Sequence, residues 1–217
     1  MLKEWIDIIQ LFFAKSRNVL KKDINGKDIK HIWISYTIFI IITLLFVWGI
    51  PNGFSNGFLD YATSILSIFV GFFITVLVFV EDKLKPTKLP TQEEENAKPA
   101  NKRLTQKQKI NILQENNYTV RFFYALGLNI LFSTIVLFLL LPNILWFDTF
   151  SLNLSEYTII DNISQLSFTS VLMGLYFWGM VIYRIIVLYF LLKIFFYTTY
   201  ATSSLVSVLI LKREEQS

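Results

Sequence analysis

Apolar residues along this chain fall into four blocks parted by turns and charge. Ile32 to Ile50 is 19 residues without a charge, Leu59 to Val80 is a second apolar run with Asp60 at its outer end, Phe122 to Leu141 a third, and Phe168 to Leu211 a fourth. None of the four alternates with a period of two, and each is long enough for a helix to cross a hydrocarbon core of about 30 Å. The first two are joined by Pro51-Asn52-Gly53-Phe54-Ser55-Asn56-Gly57, a short turn sequence, so they predict a helical hairpin. Pro142-Asn143 is expected to end the third.

The fourth block does not fit one crossing. It holds 44 residues, no proline, and charge only at Arg184 and Lys193, and as one helix it would reach about 66 Å. Either it crosses and continues, or it turns back at Lys193. The charges outside the blocks decide between these. Seven Lys/Arg precede the first block, nine lie between the second and third, and Lys212-Arg213 follow the fourth. The 51–57 turn and the 143–167 loop carry none. With four crossings every basic segment falls on one side, which the positive-inside rule makes cytoplasmic, termini included. A fifth crossing would place Lys212-Arg213 outside. The expectation is therefore a span ending near Lys193 at the headgroups and a cytoplasmic helix over 194–217.

Ahead of the first block, Leu2, Trp5, Ile6, Ile9, Phe12, Phe13, Val19 and Leu20 recur at three- and four-residue steps, while Lys3, Glu4, Asp7, Lys15, Arg17 and Lys21 occupy mostly other faces. That is an amphipathic helix. Next to a span it is expected on the membrane surface, with Trp5, Phe12 and Phe13 inserted and Lys15 and Arg17 near anionic lipid; packing on the rest of the protein is the other reading. Asn25-Gly26 marks a turn before the first span. The 83–121 segment, with Pro86, Pro90 and Pro99, has too little apolar surface for a core. Its first part, to about Asn101, is expected to be flexible, and a short polar helix is expected from Thr105 to Asn116.

The fold class is thus an all-α integral membrane protein, a four-transmembrane-helix bundle with an N-terminal amphipathic helix and a cytoplasmic helical C-terminal extension. Its parts are the N-terminal helix (1–30), the first two spans (31–82), the charged cytoplasmic loop (83–121), the third and fourth spans with their outer loop (122–193) and the C-terminal helix (194–217).

Polar residues inside the spans are few. Ser64, Ser67, Gly71 and Thr75 share one face of the second span, Ala125, Asn129 and Ser133 one face of the third, and Gly174 and Gly179 lie on the fourth. Small residues let helix backbones approach, so Ser64, Ser67, Gly71, Ala125, Ser133, Gly174 and Gly179 are candidates for helix packing within or between subunits. Arg184 is the sharpest feature, because a charge within a span normally faces a bundle interior, a cavity or an interface. It lies nine residues from Lys193, Asn129 eight from Arg121, and Thr75 six from Glu81, each about 9–14 Å inside the cytoplasmic boundary. A polar layer of Arg184, Asn129 and Thr75 is expected.

Composition changes the picture little. The chain is 54% hydrophobic with 17% aromatic residues and no cysteine, which places it in the integral membrane class and removes thiol chemistry. The formal charge of +4 reports orientation here, and direct nucleic-acid binding is not expected. The one histidine, His31, stands at the start of the first span, and no metal-ligand spacing, phosphate loop or nucleophile elbow is present. Neither catalytic activity nor a metal or cofactor is expected.

This plan of four spans, uncharged outer turns and a charged inner loop resembles small bacterial inner-membrane proteins of anti-phage operons. The stretch Ser64-Ile-Leu-Ser-Ile-Phe-Val-Gly-Phe72 is similar to segments of such proteins, the nearest family being the membrane subunit of the Kiwa defence system. The resemblance implies an oligomeric inner-membrane sensor or scaffold, with a tetramer the expected state. Its cytoplasmic face would recruit a cytosolic partner, a DNA-binding effector. The competing expectation is a pore or channel effector that depolarises the membrane, with Arg184, Asn129 and the Ser/Thr stripe along its path.

Overall fold

The computed structural model describes residues 2–30, 32–50, 52–83, 89–97, 99, 103–146 and 168–216. Among them the fold is all-α, without a sheet, and has six helices: α1 (Leu2–Leu20), α2 (Ile32–Gly49), α3 (Asn56–Lys83), α4 (Gln92–Asn96), α5 (Gln106–Leu145) and α6 (Phe168–Gln216). Helices α3, α5 and α6 are long and apolar enough to cross a membrane, and α2 is a shorter apolar helix. At 18 residues α2 spans about 27 Å. The outer loop expected over 143–167 falls, from residue 147 on, outside the described residues, as do 84–88 of the charged loop.

The short polar helix, expected to lead into the third span, is continuous with it in one helix of 40 residues. Nothing between Gln106 and Leu141 interrupts backbone hydrogen bonding, and the start is fixed by a Thr-x-x-Gln capping box. The Gln108 N–H donates to Thr105 Oγ1 at 3.3 Å and the Thr105 N–H to Gln108 Oε1 at 2.9 Å. The expectation that Pro142-Asn143 ends this helix is corrected. Pro142 lies inside the helix, and its carbonyl accepts from the Trp146 N–H at 2.9 Å, so the missing proline N–H removes one bond near the helix end without stopping it. α6 likewise runs 49 residues through Lys193 without a turn, a length of about 73 Å.

The chain divides into two compact units. The first comprises Met1–Lys30, Phe73–Leu128 and Phe196–Ser217, and the second His31–Phe72 and Asn129–Phe195. Eighteen of the 20 Lys/Arg belong to the first; only Arg184 and Lys193 belong to the second.

In the first unit α1 docks on α5. The Phe12 ring lies 5.6 Å from the Tyr124 ring and against Gly127, where an added Cβ would come within 2.5 Å of Phe12 Cζ. Ser16 is buried, its hydroxyl donating to the Phe12 carbonyl at 2.7 Å. The turn after α1 is a small hairpin. Asp23 Oδ1 accepts from the backbone N–H of Asn25 and Lys27 at 2.9 and 2.7 Å, and Gly26 supplies the positive φ of 78°. This hairpin is held to α5 by Asn117, which donates to the Ile24 carbonyl at 2.8 Å, and by Arg121, which donates to the Lys22 carbonyl.

Within the charged loop the described residues include the short helix α4. Thr91 and Glu94 form a capping box, and Glu95 is buried, accepting from the Leu104 N–H at 3.2 Å and pairing with Lys109. A local polar clip thus replaces the apolar core that the composition lacks. Six residues past Lys109 on α5, Glu115 pairs with Lys212 of α6 at 3.3 Å.

Because α1 seats a ring on the bare Cα of Gly127, Gly127→Val is expected to destabilise this docking by about 1–3 kcal/mol. Limited trypsin digestion of the detergent-purified protein should then cut faster after Lys21, Lys22 and Lys27; an unchanged rate would show that α1 does not depend on this contact.

Candidate functional site

In the second unit the most buried groups lie where α5 and α6 face each other. On α5, Asn129, Ser133, Val136, Leu140 and Asn143 are buried at alternating three- and four-residue steps. Phe177, Met180, Arg184 and Val187 do the same on α6. This spacing is that of two helices packed along a common seam. Two contacts set the register: the Tyr183 hydroxyl donates to the Leu139 carbonyl at 2.8 Å, and the Phe132 and Phe190 rings lie 5.3 Å apart. The two helices of the seam run antiparallel, so each step along α5 matches one step back along α6.

That register separates the residues expected to form one polar layer. Asn129, three residues before Phe132, is level with Lys193, three after Phe190; Arg184 is level with Phe138. Arg184 and Asn129 are thus offset by nine residues of α5, about 14 Å along the axis. Both are buried, at 2% and 0% exposure, but they belong to different levels. Thr75 is exposed on α3.

Tyr183 is the node of the seam. Beyond its bond to Leu139 it shares a hydrogen bond with the Asn143 side chain, and its ring meets Phe54 edge-on at 6.3 Å. Phe54, stacked on Phe58 at 5.0 Å, sits in the turn between α2 and α3, where Gly53 has φ 83° and Ser55 Oγ accepts from the Phe58 N–H at 3.2 Å. One tyrosine therefore ties α5 and α6 to the α2–α3 turn.

Lys193 is the other fixed point. It is 5% exposed, and its Nζ lies 4.2 Å from the centroid of Tyr36, 4.9 Å from Phe39 and 5.4 Å from Tyr189. Aromatic faces stabilise a desolvated cation, so this ammonium is held beneath rings of α2 and α6. Tyr36 and Phe39 share a face of α2, a spacing visible in the sequence, but nothing in the sequence pairs them with Lys193.

Ser133 and Asn143 leave polar atoms unmatched. Thr43 and Thr134 each donate back to the carbonyl four residues earlier, at 2.7 and 2.9 Å. The Ser133 hydroxyl and the Asn143 carbonyl oxygen, both buried, have no hydrogen-bond partner among the described residues.

The remaining candidates divide by face. Ala125 and Ser133 are packed inside, whereas Ser64, Ser67, Gly71 and Gly179 are exposed and Gly174 is half-exposed. A Cβ added at Gly71, Gly174 or Gly179 would meet nothing within 4 Å. On α1, Phe12 and Phe13 are half-buried and Lys15 and Arg17 exposed, with the Phe12 ring against Gly127 and Tyr124 of α5. The Trp5 side chain lies outside the described residues. Among the described residues no three His, Asp or Glu gather as a metal site. No protein-family model, no curated protein and no solved structure matches the chain.

The seam makes two opposite forecasts. Tyr183→Phe removes a satisfied bond and is expected to cost about 0.6–1.7 kcal/mol. Ser133→Ala removes an unmatched hydroxyl and is expected to be neutral or stabilising by up to about 1 kcal/mol. Thermal unfolding in mild detergent reads both signs; stabilisation by Tyr183→Phe would overturn the register assigned to the seam.

Proposed function

We propose that the chain is a non-enzymatic, four-span scaffold or sensor of the bacterial inner membrane. Both of its termini are cytoplasmic, and it self-associates and docks a cytosolic protein on its charged unit. The observation that carries this reading is the segregation of charge. Eighteen of the 20 Lys/Arg fall in the unit that gathers residues 1–30, 73–128 and 196–217. If the other unit occupies the bilayer, its α2 is the additional span and every basic segment lies on one face, as the positive-inside rule requires. Exposed Ile110 and Leu113, among the lysines of the first turns of α5, give that face apolar contact points for a partner. Ser64, Ser67 and Gly71, exposed on one face of α3, give the membrane portion a surface on which a second copy can approach closely. The Kiwa-like role, with a DNA-binding effector as the partner and a tetramer as the assembly, belongs to this proposal.

The buried polar groups Asn129, Ser133, Asn143 and Arg184 favour a second reading, a pore effector. It requires conductance in planar bilayers that Arg184→Leu alters.

Two measurements test the leading reading. The chain has no cysteine, so single cysteines introduced at Asn52 and Lys107 report sidedness without background. Asn52→Cys should react with an impermeant thiol reagent from outside intact cells and Lys107→Cys only after the inner face is opened; the reverse pattern overturns the topology. Purification from native membranes in mild detergent should yield an oligomer carrying a cytosolic protein. A strictly monomeric chain without a partner would sink the scaffold.

A further inference from the structure

Between α1 and α2, residues 21–30 carry four lysines and two aspartates. They close into a hairpin: Lys22 bridges Asp28 in antiparallel fashion, the Ile29 N–H donates to the Lys21 carbonyl at 2.7 Å, and the Gly26 N–H donates to the Asp23 carbonyl at 2.9 Å. One of the two carboxylates is occupied inside the turn, where Asp23 Oδ1 accepts from the Asn25 and Lys27 N–H groups. The loop is also fixed from outside, by Asn117 on the Ile24 carbonyl and Arg121 on the Lys22 carbonyl. Lys22, Lys27 and Lys30 stay exposed, and among the described residues no salt bridge takes them. Cations without a counter-ion, on a backbone fixed before any ligand arrives, bind an anion at low ordering cost. Two residues beyond Lys30 begins α2, which has no charge in 18 residues. It is apolar over most of its circumference, with Ile38, Ile40, Leu44, Phe46 and Trp48 all exposed, and such a helix suits hydrocarbon.

We propose that this hairpin is a binding site for the headgroups of anionic phospholipids, with Lys22, Lys27 and Lys30 on the lipid phosphates. The inference rests on the reading of α2 as a membrane span and adds a lipid contact to it. The chain from Lys30 to Ile32 reaches at most about 7 Å. Where α2 enters hydrocarbon, Lys30 therefore stands in the headgroup layer, which is about 5–8 Å deep on each side. The charge has the sign that an anionic leaflet attracts, and each lysine beside a span strengthens that attraction roughly fivefold. Lysine meets phosphate as a point charge, so three of them on a fixed loop can engage headgroups without a planar fork. An acidic cytosolic protein would have to reach the same lysines through the headgroup layer. Asp23 acts here as a positioning residue, because its carboxylate shapes the turn that spaces Lys22 from Lys27.

Lipid retention by the full-length protein in mild detergent tests this, read by native mass spectrometry with phosphatidylglycerol and phosphatidylcholine supplied in equal amounts. The unaltered chain should retain phosphatidylglycerol with a preference of about tenfold or more. Lys22→Gln, Lys27→Gln and Lys30→Gln together should bring the two lipids to parity. Lys3→Gln, Lys107→Gln and Arg213→Gln together remove the same charge from exposed positions elsewhere in the unit, and should leave the preference within about twofold. Asp23→Ala makes the hairpin more positive but breaks its turn, and should weaken the preference about threefold; Asp23→Asn keeps an oxygen acceptor and should not. Equal retention of the two lipids by the unaltered chain overturns the site and leaves the hairpin to an acidic cytosolic protein. An equal loss in the control triple, a stronger preference in Asp23→Ala, or displacement of the lipid by excess inorganic phosphate overturns it too. Labelling at positions 52 and 107 that reverses the sidedness while the lipid preference stands would uphold the headgroup site and count against the assigned orientation alone.

Discussion

The antiparallel seam of α5 and α6 is the constraint on which the other features depend. Along α5 the buried positions keep the same three-and-four spacing from Ile112 through Glu115, Thr119, Phe122 and Leu126 to Asn129, Ser133, Val136, Leu140 and Asn143. A helix can hold such a stripe against a partner only when the partner keeps step with it. In the second unit the Tyr183–Leu139 bond and the Phe132–Phe190 ring pair impose that step; in the first, the long side chains of Lys212 and Glu115 pair between α6 and α5. Without a hydrophobic drive between helices in lipid, such specific contacts carry the selection of register.

Around this pair the shorter elements are attached by different means, each suited to its surroundings. In the charged unit the Phe12 ring seats α1 on Gly127 and Tyr124, and the other attachments are polar: Asn117 and Arg121 bind the carbonyls of the turn after α1, and Glu95 holds the α4 segment to the start of α5. In the apolar unit the attachments are aromatic: Phe54 on Tyr183 and the three rings about Lys193. Rings there bury area and stabilise a desolvated cation at the same time. At Lys193 a charge buried among apolar helices is met by ring faces in the protein interior.

The outward faces follow from what the seam leaves over. α3 buries Leu59, Leu66 and Phe73, seven residues apart, and turns Ser64, Ser67, Gly71 and Thr75 outwards. α6 buries Ala201, Ser204 and Val208 and turns out an uncharged stripe. A helix that packs one narrow face on its neighbour always has such a remainder, and its composition carries the information about further contacts.

Much of this was legible in the residues before any packing was known. The four apolar blocks, the helical class, the turns at Asn25-Gly26 and Gly53 and the amphipathic α1 follow from local rules: uninterrupted apolar length, three-to-four periodicity and the positive φ that glycine permits. Even the two capping boxes, Thr91 to Glu94 and Thr105 to Gln108, were written in the sequence, and only the second was anticipated as a helix start. Register, level and partner were not. Whether Arg184 stands beside Asn129 depends on how far one helix slides along another, and no local periodicity measures that offset. Whether Phe12 meets lipid or Gly127 depends on a bare Cα 115 residues away. Local propensity determined which segments are helices and which faces are apolar; packing between distant segments decided which of those faces are already covered.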